Sequence, residues 1–197
     1  MIDTHKEVLD IVEHCRTRPH LLRRQGPTFL QLEPSPDVWL HFWGHANIPS
    51  ETIAAQAHTH HRNFSSTIVF GGLTNTILNM KDADLKQATY EEYLLRGGDA
   101  MSAAECVPTG RGMDIAHAAG THYGRGDMYD MVADTWHRTL FTEPSITLLH
   151  LKGPVVPRYI AFTARMEREQ ARLTWVKVDP TEAWNRIDGL LAAAGLL

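Results

Sequence analysis

Residues 57–72 read Ala57-His58-Thr59-His60-His61-Arg62-Asn63-Phe64-Ser65-Ser66-Thr67-Ile68-Val69-Phe70-Gly71-Gly72. The run joins a His-x-His pair to a β-branched and aromatic stretch that closes on two glycines. In an extended strand residues i and i+2 share a face, so His58 and His60 aim two imidazoles at one point. Arg62 shares their parity and is a candidate to hold a substrate carboxylate, as a guanidinium does with a bidentate fork. His61 faces the other way. Two imidazoles fill two adjacent coordination positions, and a third ligand has to come from elsewhere in the chain. Taken alone, the run reads equally well as a surface histidine loop that binds metal incidentally.

The second stretch is 126–139, Gly126-Asp127-Met128-Tyr129-Asp130-Met131-Val132-Ala133-Asp134-Thr135-Trp136-His137-Arg138-Thr139. It places His137 in a similar strand-like setting. Tyr129 shares parity with His137 and is a candidate to offer a hydroxyl to a substrate. Asp134, three residues before His137, reads either as a carboxylate near the imidazoles or as a turn residue, and the turn is favoured. Trp136 reads as packing.

Together the two stretches resemble the cupin superfamily. Its first motif runs Gly, five residues, His-x-His, three or four residues, Glu, six residues, Gly. Its second runs Gly, five residues, Pro, one residue, Gly, two residues, His, three residues, Asn. Here His58 and His60 match the pair, Gly71 or Gly72 the closing glycine, and Gly126 and His137 the second motif. The departures are Thr52 for the first glycine, Phe64 or Ser65 for the glutamate, Val132 for the proline, Asp134 for the second glycine and Phe141 for the asparagine. The stretch between the motifs, Leu73 to Arg125, is long. The resemblance covers roughly residues 38 to 163, and Ile146–Phe162 looks like the segment that comes after the second motif in small cupins.

The resemblance implies a jelly-roll β-barrel holding one divalent metal through His58, His60 and His137. Many cupins add the glutamate; others, similar to the thiol dioxygenases, use three histidines, and this chain looks like those. The expected activity is that of a mononuclear non-haem iron oxygenase or dioxygenase acting on a small polar metabolite, with Fe(II) favoured. Zinc, nickel or manganese in a lyase, isomerase or hydrolase is the alternative, and a non-enzymatic metal or small-ligand binding module is another. A homodimer is a further implication.

Outward from these stretches, short β-branched and aromatic runs alternate with Gly, Pro and Asn. The expected strands are 28–32, 38–43, 65–70, 74–78, 90–95, 127–132, 135–142, 146–152, 159–163 and 174–178, the spacing of an all-β sandwich or barrel. Residues 97–126, rich in Gly, Ala and Ser, read as a long excursion between strands, with His117 and His122 in it. His41 and His45 flank a strand end near Trp39 and Trp43, either partly exposed or facing the same cavity. His150 reads as a hydrogen-bonded barrel residue, and Glu91 and Glu92 as solvated. The ends read as helical. Val8, Ile11 and Val12 form a stripe behind a Thr4–Glu7 capping-box spacing, and Pro19 stops the helix. Trp184, Ile187, Leu190 and Leu191 make the apolar face of a closing helix. The expected organisation is a helical extension over 1–27, a barrel over 28–180 and a helix over 181–197, in one domain.

Composition narrows the partners. Among 197 residues, 43% are hydrophobic and 21% charged, as in ordinary globular chains. A net charge of −4 with no basic run argues against nucleic acid or an anionic membrane as partner and leaves a small-molecule substrate. The first fifteen residues lack the apolar core of a signal peptide, so a cytoplasmic location is expected. Cys15 and Cys106 are read as free thiols. Twelve histidines are unusual, and their placement carries the metal reading.

Overall fold

The chain pairs with itself from the outside in. The structure, a computed structural model, describes residues 4–25, 29–44, 57–96, 105–141, 143–155, 160–165 and 179–197. Its strands are β1 (Leu22–Gln25), β2 (Phe29–Ser35), β3 (Val38–Trp43), β4 (Asn63–Phe70), β5 (Gly72–Ala83), β6 (Tyr90–Arg96), β7 (Glu105–Gly124), β8 (Met128–Met131), β9 (His137–Leu140), β10 (Ser145–Lys152) and β11 (Ile160–Arg165). Strand β3 pairs with β10, His58 bridges to His137, β4 pairs with β8 and β5 with β7, all antiparallel. These nested pairs alternate between two sheets. One has the order β1-β2-β3-β10-β4-β8, the other β11-β6-β7-β5-β9. First with last, second with second-last, wound over two facing sheets, is the jelly roll. The fold is therefore the expected all-β one, with β1 and β2 widening one sheet and β6 and β11 the other.

Two helices flank it, as their apolar spacing predicts. In α1 (Thr4–Arg16), Val8, Ile11, Val12 and Cys15 recur three and four residues apart and are buried. In α2 (Pro180–Ala193), Ala183, Ile187 and Leu191 recur four residues apart and are buried. Both faces join Leu30, Leu32, Leu40, Phe42, Ile146 and Leu148 in one core on the outer side of the β3-bearing sheet. Fully burying each such Leu or Ile contributes roughly 1.5–3 kcal/mol. Asp179 caps α2 by accepting from Glu182 N at 3.0 Å, and Pro180 occupies the first turn, where its missing N–H costs nothing. Arg16 ties the helices together through Asp188 and lies 4.6 Å over the Trp184 ring.

The alternate residues of the same strands face inward. Phe64, Met131, Leu149 and Leu151 form a second cluster, with Trp39 and Tyr129 packed against it. The interior thus divides from the helix-covered side by strand parity alone.

Several expectations are corrected. Residues 105–124 of the supposed excursion form the longest strand, β7, paired with β5 and β6. His117 and His122 lie exposed on it rather than in a loop. Glu92 is buried, not solvated: it accepts from Arg111 at 3.0 Å and from Thr109 at 2.9 Å. Glu91 is half-buried and accepts from the Tyr93 hydroxyl at 2.8 Å. His150 is hydrogen-bonded as expected, but outside the barrel interior, donating to Glu7 on α1 at 3.0 Å. Leu22–Gln25, within the stretch read as a helical extension, pairs with β2. Cys15 is a free, buried thiol that burial pushes up to about 11. The expected strand 174–178, His45, Thr52 and the Cys106 side chain lie outside the described residues. Among the described residues no helix is long and apolar enough to cross a membrane.

Candidate metal centre

His58 and His137 stand directly opposite each other on adjacent backbones. Each donates its backbone N–H to the other's carbonyl, both at 2.9 Å. Side chains of such a pair share a face, and their rings lie 4.3 Å apart. His60, two residues on from His58, falls on the same side, with its ring 5.1 Å from His58 and 5.0 Å from His137. One nitrogen from each of the three lies within 4.8 Å of the other two. Asp134 N donates to His60 O at 2.9 Å and continues the ladder beyond the bridge.

Burial bears on the protonation of two of the three. It drives the imidazoles of His60 and His137 well below the ordinary histidine value, and the neighbouring histidines add to this by mutual repulsion. A neutral imidazole with a free lone pair is the form that ligates. His137 Nδ1 lies 3.1 Å from Thr135 O, and a carbonyl can only accept, so Nδ1 carries the proton and Nε2 is left as donor atom. Three convergent imidazole nitrogens, with His58 and His137 buried and His60 half-buried, match what a divalent transition metal takes from a protein.

The glutamate position is occupied by a ring. Phe64 lies 4.9 Å from His60 and 6.4 Å from His137, centroid to centroid. Gly71 settles the motif's frame. It has φ +70°, and an added Cβ would meet Pro144 O at 2.1 Å. Gly72 shows no positive φ, and its nearest contacts would be at 3.1 Å. Gly71 is the obligate glycine, and counting back from it puts the missing carboxylate at Phe64 rather than Ser65. Among the described residues, this is the group of three or more His, Cys, Asp or Glu with metal-binding geometry, and it holds no carboxylate.

Asp134 has φ +61°, in the left-handed region that the motif's glycine would take, so the turn reading describes its backbone. Arg62 has other partners: Asp37 at 2.7 Å, Pro36 O at 3.1 Å and Gly153 O at 3.1 Å. The chain bends at 61–62, so the parity that joins His58 to His60 stops before Arg62. Tyr129 faces inward from β8, with its ring 6.2 Å from Phe64 and 4.6 Å from Tyr123, one ring removed from the histidines. Burial pushes its hydroxyl up to about 12, so it keeps its proton. His61 is half-buried and falls outside the ligand group.

His41 lies inside as well. It is 5% exposed, with Trp39 and Trp43 ring contacts at 6.2 and 5.4 Å, and burial pulls its imidazole down to about 3. It is near enough for its charge to act on His60. Strand parity with Trp39 and Trp43 is the signal that places it there. Two residues that sequence reading passed over, Asn75 and Thr139, are buried on the face that carries His137. Strand parity with His137 is the signal for Thr139, whereas Asn75 follows only from its register opposite Thr139.

No protein-family model matches the sequence, and no curated protein does. Solved structures similar to it include Drosophila melanogaster CENP-C bound to CAL1, at 9% identity over 76% of this chain and 99% of that one, with a TM-score of 0.37. Hydroquinone 1,2-dioxygenase from Sphingomonas sp. TTNP3 with 4-hydroxybenzoate bound aligns at 16% identity over 62% of this chain and 64% of that one, TM-score 0.28. A Klebsiella pneumoniae uncharacterized protein with a double-stranded beta-helix domain aligns at 14% identity over 75% and 94%, TM-score 0.25. The chain spans less than two thirds of the dioxygenase's length. At these identities no reaction passes to this chain, and its fold rests on its own strand order.

Proposed function

We propose that His58, His60 and His137 hold one divalent metal, Fe(II) by preference, and that the protein is a mononuclear non-haem iron oxygenase of the dioxygenase type acting on a small polar metabolite. The observation that carries this reading is the ligand set: three neutral imidazoles, with Phe64 against them where a carboxylate would stand. Iron held by neutral ligands alone would keep its full charge and would supply dioxygen activation beside a chelating substrate. The protein's own groups do the rest. Thr135 O orients the His137 ring. Phe64 keeps water from one side of the ligands. Tyr129, which holds its proton, serves as a hydrogen-bond donor and not as a base.

The test is anaerobic reconstitution with Fe(II), followed by nitric oxide and then by oxygen. An iron–nitrosyl electron paramagnetic resonance signal of one spin per chain, and oxygen uptake with a candidate substrate, are the expected results. Full turnover without oxygen on zinc, nickel or manganese would replace this reading with a Lewis-acid lyase, isomerase or hydrolase.

A further inference from the structure

Thr139 stands two residues beyond His137 on β9, and Asn75 lies opposite it on β5. Parity puts both on the face that bears His137. They are 6% and 4% exposed. Asn75 Oδ1 is buried and has no hydrogen-bond partner among the described residues. A buried acceptor left so is destabilising, and folded proteins rarely keep one that nothing serves.

The surroundings define what could serve it. Two residues further along β9 the chain reaches Phe141, whose ring lies 5.2 Å from Trp43 on the facing sheet. The layer thus lies between the Trp43–Phe141 contact and the three histidines, and Ile77, in register with His137, is exposed at the histidine end. On the facing sheet, His41 and Thr147 are paired in register and buried, with His41 two residues before Trp43. Thr147 Oγ1 accepts from Trp43 Nε1 at 2.9 Å. Asn75, Thr139, His41 and Thr147 carry no formal charge at neutral pH, because burial keeps the His41 imidazole neutral. Arg62, the cation expected to bind a carboxylate, is engaged by Asp37 and two carbonyls. The layer is polar, uncharged and walled by aromatic rings.

We infer that this layer beneath the three histidines is the substrate pocket, and that Asn75 Oδ1 accepts a hydrogen bond from a hydroxyl group of a small uncharged ligand. The assignment of that ligand as substrate rests on the proposed metal centre; its binding does not require the metal. The pocket selects hydroxyl donors, which Asn75 can satisfy, over carboxylates, for which it holds no counter-charge.

Catechol, a flat molecule with two hydroxyls, is the probe, and benzoate is the anionic control of similar size. Calorimetric titration of the metal-free full chain decides the matter. Catechol is expected to bind saturably, and benzoate at least tenfold more weakly. Asn75→Leu is expected to weaken catechol at least tenfold while the protein still takes up one metal per chain. If Asn75→Leu does not fold, Asn75→Val, which suits a strand and has no side-chain acceptor, is expected to show the same loss. Unchanged catechol affinity in a folded variant, equal affinity for benzoate, or no catechol binding to the wild type would each overturn the inference. Failure of the metal reading shows separately, as metal content that His60→Ala does not alter.

Discussion

Phe64 decides whether the three imidazoles work alone. A carboxylate restored there would reach toward His60 and His137 and favour harder metals. Phe64→Glu is therefore expected to bind Mn(II) at least tenfold more tightly, measured by the loss of free-ion paramagnetic resonance signal, and to be less stable than wild type when metal-free. Unchanged Mn(II) affinity would mean that the ring does not stand where a fourth ligand would. His41 gives a pH signature. Its value falls from about 6.5 unfolded to about 3 folded, so the unfolded chain takes up the proton first. Stability is complete above pH 6.5 and is lost as pH drops toward 3, by up to about 1.4 kcal/mol per pH unit for this one group. Urea midpoints of the metal-free protein between pH 7.5 and 4.5 should fall, and His41→Gln should flatten the slope by about one proton. Asp134, with φ +61°, is expected to tolerate Gly, whereas Asp134→Val should cost about 1–3 kcal/mol. The histidines and the Asp134 turn were legible because spacing and backbone tolerance are local properties. Arg62 was not, because parity is meaningful only while the chain stays extended, and the bend at 61–62 ends it.

At the scale of elements, the strands that bury one face could be read and β7 could not. β3, β4 and β10 announce themselves through runs such as Thr67-Ile68-Val69-Phe70 and Ile146-Thr147-Leu148-Leu149. β7 contains Ala116, Ala118, Ala119 and Gly120, poor strand formers whose exposed side chains pack little. It is extended because β5 supplies a continuous partner from Gly72 to Ala83. The turn between β4 and β5 depends on Gly71, where a Cβ would collide with the Pro144 carbonyl. Gly71→Ala should cost more than about 3 kcal/mol in urea unfolding, since it adds an unfavourable φ to a backbone clash. A cost under about 1 kcal/mol would show that the turn can yield. The Asp179 cap of α2 is a milder case: Asp179→Ala should cost about 1 kcal/mol.

Across the whole molecule, nested pairing makes the site. His58 and His137 are far apart in the sequence, yet they are opposite partners because the second strand of a jelly roll must pair with the second-last. That pairing could be inferred only once both motifs were seen together. Composition and periodicity suggested a β-rich chain but did not fix its winding. The interior layer around Asn75 stayed hidden for the same reason: its members come from β3, β5, β9 and β10, and none is unusual in its own strand. The helices α1 and α2, by contrast, cover the opposite side of one sheet and contribute nothing to the interior. The measurement that tests the central claim most directly is metal content of protein purified without a histidine tag and reconstituted with Fe(II) or Zn(II), for the wild type and for His58→Ala, His60→Ala and His137→Ala. One ion per chain in the wild type, and near none in each variant with the fold intact by circular dichroism, is the predicted result. No stoichiometric ion in the wild type, or full metal content in any one of the three variants, would contradict it.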